Sequence, residues 1–212
     1  MADLEFFFDP GCPFAWVTSR WVVEVQSKRD YTVDWRFISL KLLNEHRTDS
    51  HYTPEYRAIH LACHRSLRVC DQVRLELGNE AVFRAYTAFG EAFHLRQERQ
   101  RMIDDPVTLA RSILEGAGLP ASAAEAALDD SHDARLAAET HLALERTGRD
   151  VGTPILTFRP GATDEGSFFG PVISKAPRGA EALRLWDAVE VLATTPGLSE
   201  LKRTKRAPLD FT

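Results

Sequence analysis

The stretch from Leu4 to Trp21 is the feature that most constrains what this chain can fold into. It reads LEFFFDPGCPFAWVTSRW. Leu4 to Phe8 is an apolar, aromatic run bounded by the turn-forming letters DPG, a pattern typical of a buried strand that runs into a turn. Pro13 suits the first position of a helix, where its missing N–H is not needed and its φ is already helical. The stretch therefore predicts a strand, a turn and a helix, with Cys12 where the helix begins.

The position of Cys12 predicts a reactive thiol. Unpaired N–H groups and the helix dipole stabilise an anion at the start of a helix, and the thiolate is the nucleophilic form of cysteine. We therefore expect an acidic Cys12 thiol. The alternative is a buried cysteine that only packs, which is a common role for an isolated cysteine. The specific context of strand, turn and helix favours the reactive thiol.

Four later runs extend the pattern and point to a known family. They are DVGTP at Asp150 to Pro154, FGPVISKAPR at Phe169 to Arg178 with LWDA at Leu185 to Ala188, and ELKRT at Glu200 to Thr204. Together with the first stretch, they resemble the DsbA-like branch of the thioredoxin superfamily, and most of all the actinobacterial mycothiol-dependent nitroreductase group. Kappa-class glutathione transferases and 2-hydroxychromene-2-carboxylate isomerase belong to the same wider group.

The resemblance carries several expectations about fold and site. It implies an α/β, thioredoxin-like fold with an inserted all-helical domain, of the DsbA and kappa type. It also implies a cis peptide bond between Thr153 and Pro154, with the Thr153 backbone turned toward Cys12 to bind a thiol compound. No tightly bound cofactor is expected, and mycothiol or another small thiol is the expected co-reactant.

One departure from the family pattern limits the chemistry. Relatives that exchange disulfides carry Cys-x-x-Cys, whereas Ala15 holds the place of the second cysteine here. A dithiol enzyme uses that second thiol to release its mixed disulfide. Ala15 therefore argues against dithiol oxidase activity.

The composition is that of an ordinary globular chain. With 212 residues, 44% hydrophobic and 27% charged, it can form one large domain or two small ones. The formal charge of -5 argues against a general attraction to nucleic acid or to anionic membranes. The sequence shows neither a signal-peptide pattern nor a long apolar run, so we expect a cytoplasmic protein without membrane contacts.

Two other cysteines and one basic run are interpreted as features of the core and of the surface. Cys63 and Cys70 lie in a helical pattern about 10 Å of rise apart, so they cannot bridge each other and are interpreted as core residues. No spacing of Cys and His suits zinc, and no metal site is predicted. The run KRTKR from Lys202 to Arg206 is interpreted as a solvated surface patch, with a site for an acidic cofactor as the alternative.

The remaining periodicity predicts the order of the other elements. Apolar spacing and turn residues indicate a strand at Val33 to Ser39, followed by a helix at Pro54 to Gly78 and a helix capped by Asn79. Three further helices are predicted: one started by Asp105 and Pro106, one started by Pro120, and one from about His132 to Gly148. A strand at Ile155 to Phe158, its antiparallel partner at Ser167 to Phe169 and a final helix at Gly179 to Thr194 complete the order. Residues 1–50 and 149–212 are predicted to form the thioredoxin-like domain, and residues 51–148 an inserted helical lid.

Several residues are candidates for the site around the thiol. Pro13, Phe14 and Trp16 follow Cys12 directly, and the two aromatic rings suit a flat organic substrate. The alternative for Trp16 is packing under the helix. His94 ends an aromatic helix in the lid and is a candidate proton donor or thiolate partner, with an ordinary surface histidine as the alternative.

These observations leave three hypotheses for function. In the leading one, the Cys12 thiolate adds reversibly to a small unsaturated substrate, the double bond becomes single, rotation follows, and elimination gives the other isomer. The main competitor is a mycothiol-dependent monothiol oxidoreductase in which Cys12 forms a mixed disulfide that a second small thiol resolves. The third is a binding module without catalysis. The expected partner is a small molecule, and a homodimer stays an open alternative.

Overall fold

The computed structural model describes residues 2–211 of the chain. Its strands are β1 (Leu4–Phe8), β2 (Val33–Phe37), β3 (Ile155–Phe158) and β4 (Gly166–Phe169), and they form one sheet in the order β2-β1-β3-β4. β1 pairs in parallel with β2 and antiparallel with β3, and β4 is antiparallel to β3. The parallel pair is joined through a helical crossover, in agreement with the order of strand, helix and strand that the sequence predicts.

The helices lie around this sheet. They are α1 (Pro13–Gln26), α2 (Leu40–Asn44), α3 (Pro54–Leu77), α4 (Asn79–Gly90), α5 (Arg99–Asp104), α6 (Pro106–Gly116), α7 (Asp133–Thr147) and α8 (Gly179–Thr194). A π-helical turn, Glu91–Leu95, follows α4, and two 3₁₀ segments, Ala121–Leu128 and Asp130–His132, precede α7. Every regular element between β2 and β3 is helical within residues 2–211. The domain boundaries at residues 50 and 149 stay a prediction.

The central strand β1 supplies both faces of the core. Successive side chains of a strand point to opposite faces. Phe6 and Phe8 therefore join the larger hydrophobic cluster with α1 and α4, whereas Phe7 packs in a smaller cluster that includes Ile38 and Ile155. All five residues of β1 are buried. The aromatic run thus fixes the sheet between two helical layers, and it places the DPG turn at the edge where α1 begins.

Proline and glycine account for most of the boundaries that the sequence predicted. Proline occupies the first turn of α1, α3 and α6, and the Asp105 side chain caps α6 by accepting from the Thr108 N–H. Gly78 and Gly148 end α3 and α7 with φ angles of 83° and 89°. Such positive φ angles are cheap only for glycine, so these positions stop the helices.

The structure also corrects several predicted details. Asn79 does not cap α4, because its side chain instead bonds the backbone N–H and C=O of Trp35 and so ties α4 to β2. Pro120 precedes a 3₁₀ segment and not an α-helix. The connection after β2 contains the short helix α2, and the π-helical turn and α5 were not foreseen. None of the helices within residues 2–211 combines the length and the apolar character of a membrane span.

A cluster of buried polar residues connects the helices of the insertion with one another and with the sheet. Asp71 of α3 is fully buried and accepts hydrogen bonds from Arg74, His132 and Arg135 at 2.7 Å each. Glu139 of α7 accepts from Arg74 and, through its other oxygen, from the backbone N–H of Phe37 in β2. These bonds connect α3, α7 and the sheet in one continuous network.

Candidate active site

Cys12 lies where the sequence predicted it, at the start of α1. It is the N-cap residue, with extended backbone angles, and its sulfur accepts a hydrogen bond from the Ala15 N–H at 3.4 Å. The preceding turn is held by Asp9, whose carbonyl accepts from the Cys12 N–H and whose carboxylate accepts from the Gly11 N–H. The thiol therefore occupies the position that a helix start offers to an anion.

The second component of the site comes from the far end of the chain. The Cys12 thiol donates to the carbonyl oxygen of Thr153 at 3.2 Å. The Thr153 hydroxyl donates to the carbonyl of Phe7 in β1, which fixes the segment beside the sheet. The peptide bond between Thr153 and Pro154 is cis, as the resemblance implied, and both residues are buried.

The ionisation of Cys12 differs from the expectation. Only 7% of the residue is exposed, and burial raises the pKa of its thiol to about 12, with the neighbouring Asp9 carboxylate acting in the same direction. The Ala15 N–H lowers the pKa, but by less. The predicted acidic thiol is therefore wrong for this closed arrangement, because loss of water outweighs the helix start. A protonated thiol also agrees with the hydrogen bond that it donates to Thr153.

Asp9 is a site residue that the sequence analysis missed. Its carboxylate is fully buried under the turn and accepts from the N–H groups of Gly11 and Leu40, both at 2.8 Å. Burial raises the pKa of Asp9 to about 6, although these two N–H groups act to lower it. The only sequence signal was an aspartate in a turn, which normally indicates an exposed residue.

His94 reaches the turn before Cys12 but does not bond the thiol. It lies in the π-helical turn, where its Nε2 is 2.9 Å from the carbonyl oxygen of Pro10. The ring is 7% exposed, and burial lowers the pKa of His94 to about 4. A neutral imidazole therefore donates to Pro10 at neutral pH, and no hydrogen bond joins His94 to Cys12 in the described chain. Its proposed role as a proton donor stays a prediction.

Trp16 packs under α1 and does not form an open wall. Its ring is 3% exposed and lies near the His94 ring, at 5.8 Å between centroids, with the guanidinium of Arg20 over it at 4.2 Å. Tyr86 contacts it edge-on, and Gly90 of α4 approaches it so closely that a side chain would collide with it. The indole Nε1 is buried without a hydrogen-bond partner among residues 2–211.

The segment of residues 206–211 covers the aromatic side of the site. The Phe211 ring is 5.7 Å from the His94 ring, and the Arg206 guanidinium lies over the partly exposed Phe14 ring at 5.0 Å. Pro13, the first residue of α1, is also partly exposed. Nothing in the sequence pattern predicted this cover, because the segment has no regular structure whose periodicity could be read.

Few bonds hold this segment to the body of the protein. The Asp210 N–H donates to the carbonyl of Ser174, the Ser174 hydroxyl donates to the carbonyl of Ala207, and Lys175 pairs with Asp210 at 2.6 Å. All of these partners lie in the stretch between β4 and α8. The basic run that ends at Arg206 is exposed, as predicted for a surface patch.

Arg99 is a cationic group in contact with the turn that carries the thiol. It belongs to α5, and its Nη2 donates to the carbonyl oxygen of Gly11 at 3.3 Å. Its charge lowers the pKa of both Asp9 and Cys12, but less than burial raises them. The sequence analysis missed Arg99 because α5 itself was not foreseen.

A cleft in the molecule lies away from the thiol. A cleft of about 510 Å³ opens between α4 and α6, and Cys12 is not among the residues that line it. No group of His, Cys, Asp or Glu within residues 2–211 could hold a metal ion. The structure thus brings together Cys12, Thr153, Pro154, His94 and Trp16 as one cluster that is closed to bulk solvent.

The fold and the thiol at the start of α1 define a thioredoxin-like protein of the DsbA type. The structure is similar to that of a protein from Nitrosomonas europaea described as a protein disulfide isomerase, with a TM-score of 0.56, 19% sequence identity, and coverage of 88% of this chain and 95% of that one. This similarity confirms the predicted α/β, thioredoxin-like fold class.

Sequence comparison narrows the class. The chain belongs to the Rv2466c-like family of mycothiol-dependent nitroreductases, which matches residues 11–203. It is also 32% identical over 217 residues to the uncharacterized protein Rv2286c of Mycobacterium tuberculosis, covering 99% of this chain and 85% of that protein. The family recognised from the sequence is therefore confirmed, and it is a family of oxidoreductase-type enzymes.

Proposed function

We propose that this protein is a monothiol oxidoreductase in which Cys12 exchanges with a low-molecular-weight thiol, mycothiol being the thiol of its family. The observation that carries the proposal is the position of the Cys12 sulfur between the Ala15 N–H and the Thr153 carbonyl. A backbone donor at that point stabilises a thiolate, and a backbone acceptor beside it suits a thiol compound. Family membership favours this function over addition to a double bond.

The chemistry begins with opening of the site. Cys12 is protonated while buried, so the segment over the site has to move before water and a disulfide can reach the sulfur. Exposure restores solvation of the anion, and the Ala15 N–H then stabilises the thiolate. The thiolate attacks one sulfur of a small disulfide, the S–S bond breaks, and one thiol leaves as the other stays on Cys12. Ala15 has no thiol and therefore takes no part in releasing the small thiol that stays on Cys12.

The residues present fit a small thiol compound. Trp16 Nε1 is a buried donor without an acceptor among the described residues, and Arg20 stacks on the same ring without a carboxylate partner there. Both groups can donate to the polar part of a thiol bound beside Cys12 once Phe211 and its neighbours move away. Phe14, which is partly exposed, offers an apolar contact at the start of α1.

Reversible addition of Cys12 to an unsaturated substrate is the second candidate. The observation in its favour is that Ala15 leaves α1 with a single sulfur, and covalent addition and elimination need only one. The neutral His94, close to the turn before Cys12, would be the nearest candidate for a proton donor in this reaction.

One experiment separates the two candidates. Reduced protein is mixed with mycothiol disulfide, and released mycothiol is measured. We expect release with the unchanged protein and with Cys70→Ser, and none with Cys12→Ser. In parallel, a conjugated polyene is incubated with the protein without any thiol, and its E/Z ratio is followed. Isomerisation of the polyene together with no release of mycothiol would contradict the oxidoreductase proposal and favour the second candidate.

A further inference from the structure

We propose that Cys63, in the inserted helical part, is the resolving thiol that replaces the cysteine missing at position 15. This inference rests on the proposed oxidoreductase function. Cys63 belongs to α3 and Cys12 to the start of α1, so a bond between them would join the helical insertion to the sheet. The evidence is the close approach of the Cys63 sulfur to the turn that carries Cys12.

The surroundings of Gly11 show how close the Cys63 sulfur comes to this turn. A Cβ placed on Gly11 would lie 2.1 Å from the Cys63 sulfur and 3.1 Å from its Cβ. The sulfur is therefore in van der Waals contact with the α-carbon of Gly11, which explains why only glycine fits there. Since consecutive α-carbons are about 3.8 Å apart, the Cys63 sulfur lies within roughly 8 Å of the Cys12 α-carbon.

The remaining distance between Cys63 and Cys12 is small. The Cys63 Cβ lies 3.1 Å from the same Gly11 Cβ position, so the α-carbons of Cys63 and Cys12 are within roughly 10 Å of each other. A disulfide needs α-carbons no more than about 6.8 Å apart, so bonding requires a shift of α3 against the turn on the order of 3 Å or less. No disulfide is present among the described residues, and both thiols are buried. The bond to Cys63 therefore requires this shift in addition to the opening that Cys12 needs.

The third cysteine provides a natural comparison. Cys70 lies seven residues further along α3, about two helical turns or 10 Å of rise away from Cys63. It is equally buried, and it is next to Asp71 of the buried polar cluster. Two sulfurs of the same chemistry on the same helix therefore differ in their distance from Cys12.

The reaction balances without any further oxidant. The starting species is Cys12 joined by a disulfide to one small thiol. The Cys63 proton passes to the Asp9 carboxylate, because Oδ1 of Asp9 and the Cys63 sulfur both lie next to Gly11. The Cys63 sulfur attacks the Cys12 sulfur, the bond to the small thiol breaks, and the departing sulfur takes the proton back. The products are a bond between Cys12 and Cys63 and one free small thiol.

The test counts released thiol. Reduced protein is mixed with a limiting amount of mycothiol disulfide, and both released mycothiol and the intact mass are measured. We expect the unchanged protein to release both mycothiols and lose two hydrogen atoms, with a peptide linking Cys12 to Cys63. Cys63→Ser and Cys63→Ala should release one mycothiol and retain the other on Cys12. Cys70→Ser should behave as the unchanged protein.

The outcomes distinguish this inference from the function on which it rests. If the unchanged protein releases one mycothiol and keeps the other on Cys12, as the Cys63 variants do, Cys63 is not the resolving thiol and the monothiol function stands. If no variant reacts at Cys12, the function fails and the inference fails with it. The linked peptide is sought in the unchanged protein, so the test does not depend on the folding of any variant.

Discussion

At the scale of single residues, Asp9 combines full burial with a charge that two backbone donors and the nearby Arg99 stabilise. The pKa of Asp9 is raised from 3.8 to about 6, mainly by burial. Between these two pH values the folded protein binds more protons than the unfolded one. The free energy of unfolding therefore falls as the pH rises through this range, and the loss is complete above pH 6.

The first prediction concerns Asp9→Asn. The asparagine side chain cannot ionise, so the variant does not lose the stability that Asp9 loses as the pH rises. Between about pH 4 and pH 7, the free energy of unfolding of the variant should therefore rise by about 2 to 3 kcal/mol relative to that of the unchanged protein. Urea unfolding at several pH values measures this. His60 and His94, whose pKa values burial lowers to about 4, change the slope of both proteins alike. Parallel curves would show that Asp9 is not the group concerned.

The second prediction compares two glycines at the ends of helices. A Cβ on Gly90 would lie 2.1 Å from the ring of Trp16, which is buried and cannot retreat, whereas no atom lies within 4 Å of a Cβ on Gly116. Overpacking costs about 1 to 3 kcal/mol, and alanine gains up to about 1 kcal/mol over glycine in a helix. We expect Gly90→Ala to lower the free energy of unfolding and Gly116→Ala to leave it equal or slightly higher. Similar thermal unfolding of both variants would contradict the close packing of α4 on α1.

At the scale of elements, the segment of residues 206–211 lies over the aromatic side chains next to Cys12. It contacts the site through side chains and is held by a few bonds to the stretch between β4 and α8. An element with few buried contacts opens at low free energy. The segment is thus the part of the cover that can leave without unfolding the sheet.

The third prediction tests this cover. Phe211→Ala removes a ring contact worth about 1 kcal/mol, so alkylation of Cys12 by iodoacetamide should become roughly fivefold faster. Leu201→Ala is the matched control, because Leu201 precedes the segment and is 74% exposed. Peptide mapping separates Cys12 from the two other cysteines. Equal alkylation rates in the two variants would mean that the site opens elsewhere.

The elements also show what a sequence can and cannot reveal. Pro13, Pro54 and Pro106 mark helix starts by local rules, so those boundaries were predictable. The position of Cys12 at a helix start is equally local. Its burial is not, because Thr153 and residues 206–211 close the site from distant parts of the chain, and no periodicity encodes that contact. The side chain of Asn79 could cap a helix or bond a strand, and only tertiary packing decides between the two.

At the scale of the whole molecule, the buried polar cluster makes the helical insertion and the sheet one cooperative body. Asp71 is its centre, and Glu139 carries the connection to β2. An unpaired charge left in such a place is far more costly than a lost surface pair.

The fourth prediction follows from that cluster. Asp71→Ala removes the carboxylate that accepts from His132 and Arg135 and one of the two that accept from Arg74, so we expect the free energy of unfolding to fall by about 3 kcal/mol or more. Glu125→Ala breaks only the exposed pair with Arg111 and should cost less than about 1 kcal/mol. Denaturant unfolding followed by tryptophan fluorescence and by far-UV circular dichroism measures both. A small effect for Asp71→Ala would show that the cluster is not essential to the fold.

The hydrogen bond between Cys12 and Thr153 joins two residues that are 141 positions apart in the chain. During synthesis, Cys12 therefore leaves the ribosome long before Thr153 has been added. A nascent chain that ends before Thr153 carries a solvated cysteine with ordinary acidity, and the burial that raises the pKa of this thiol follows only after the later part of the chain has been made.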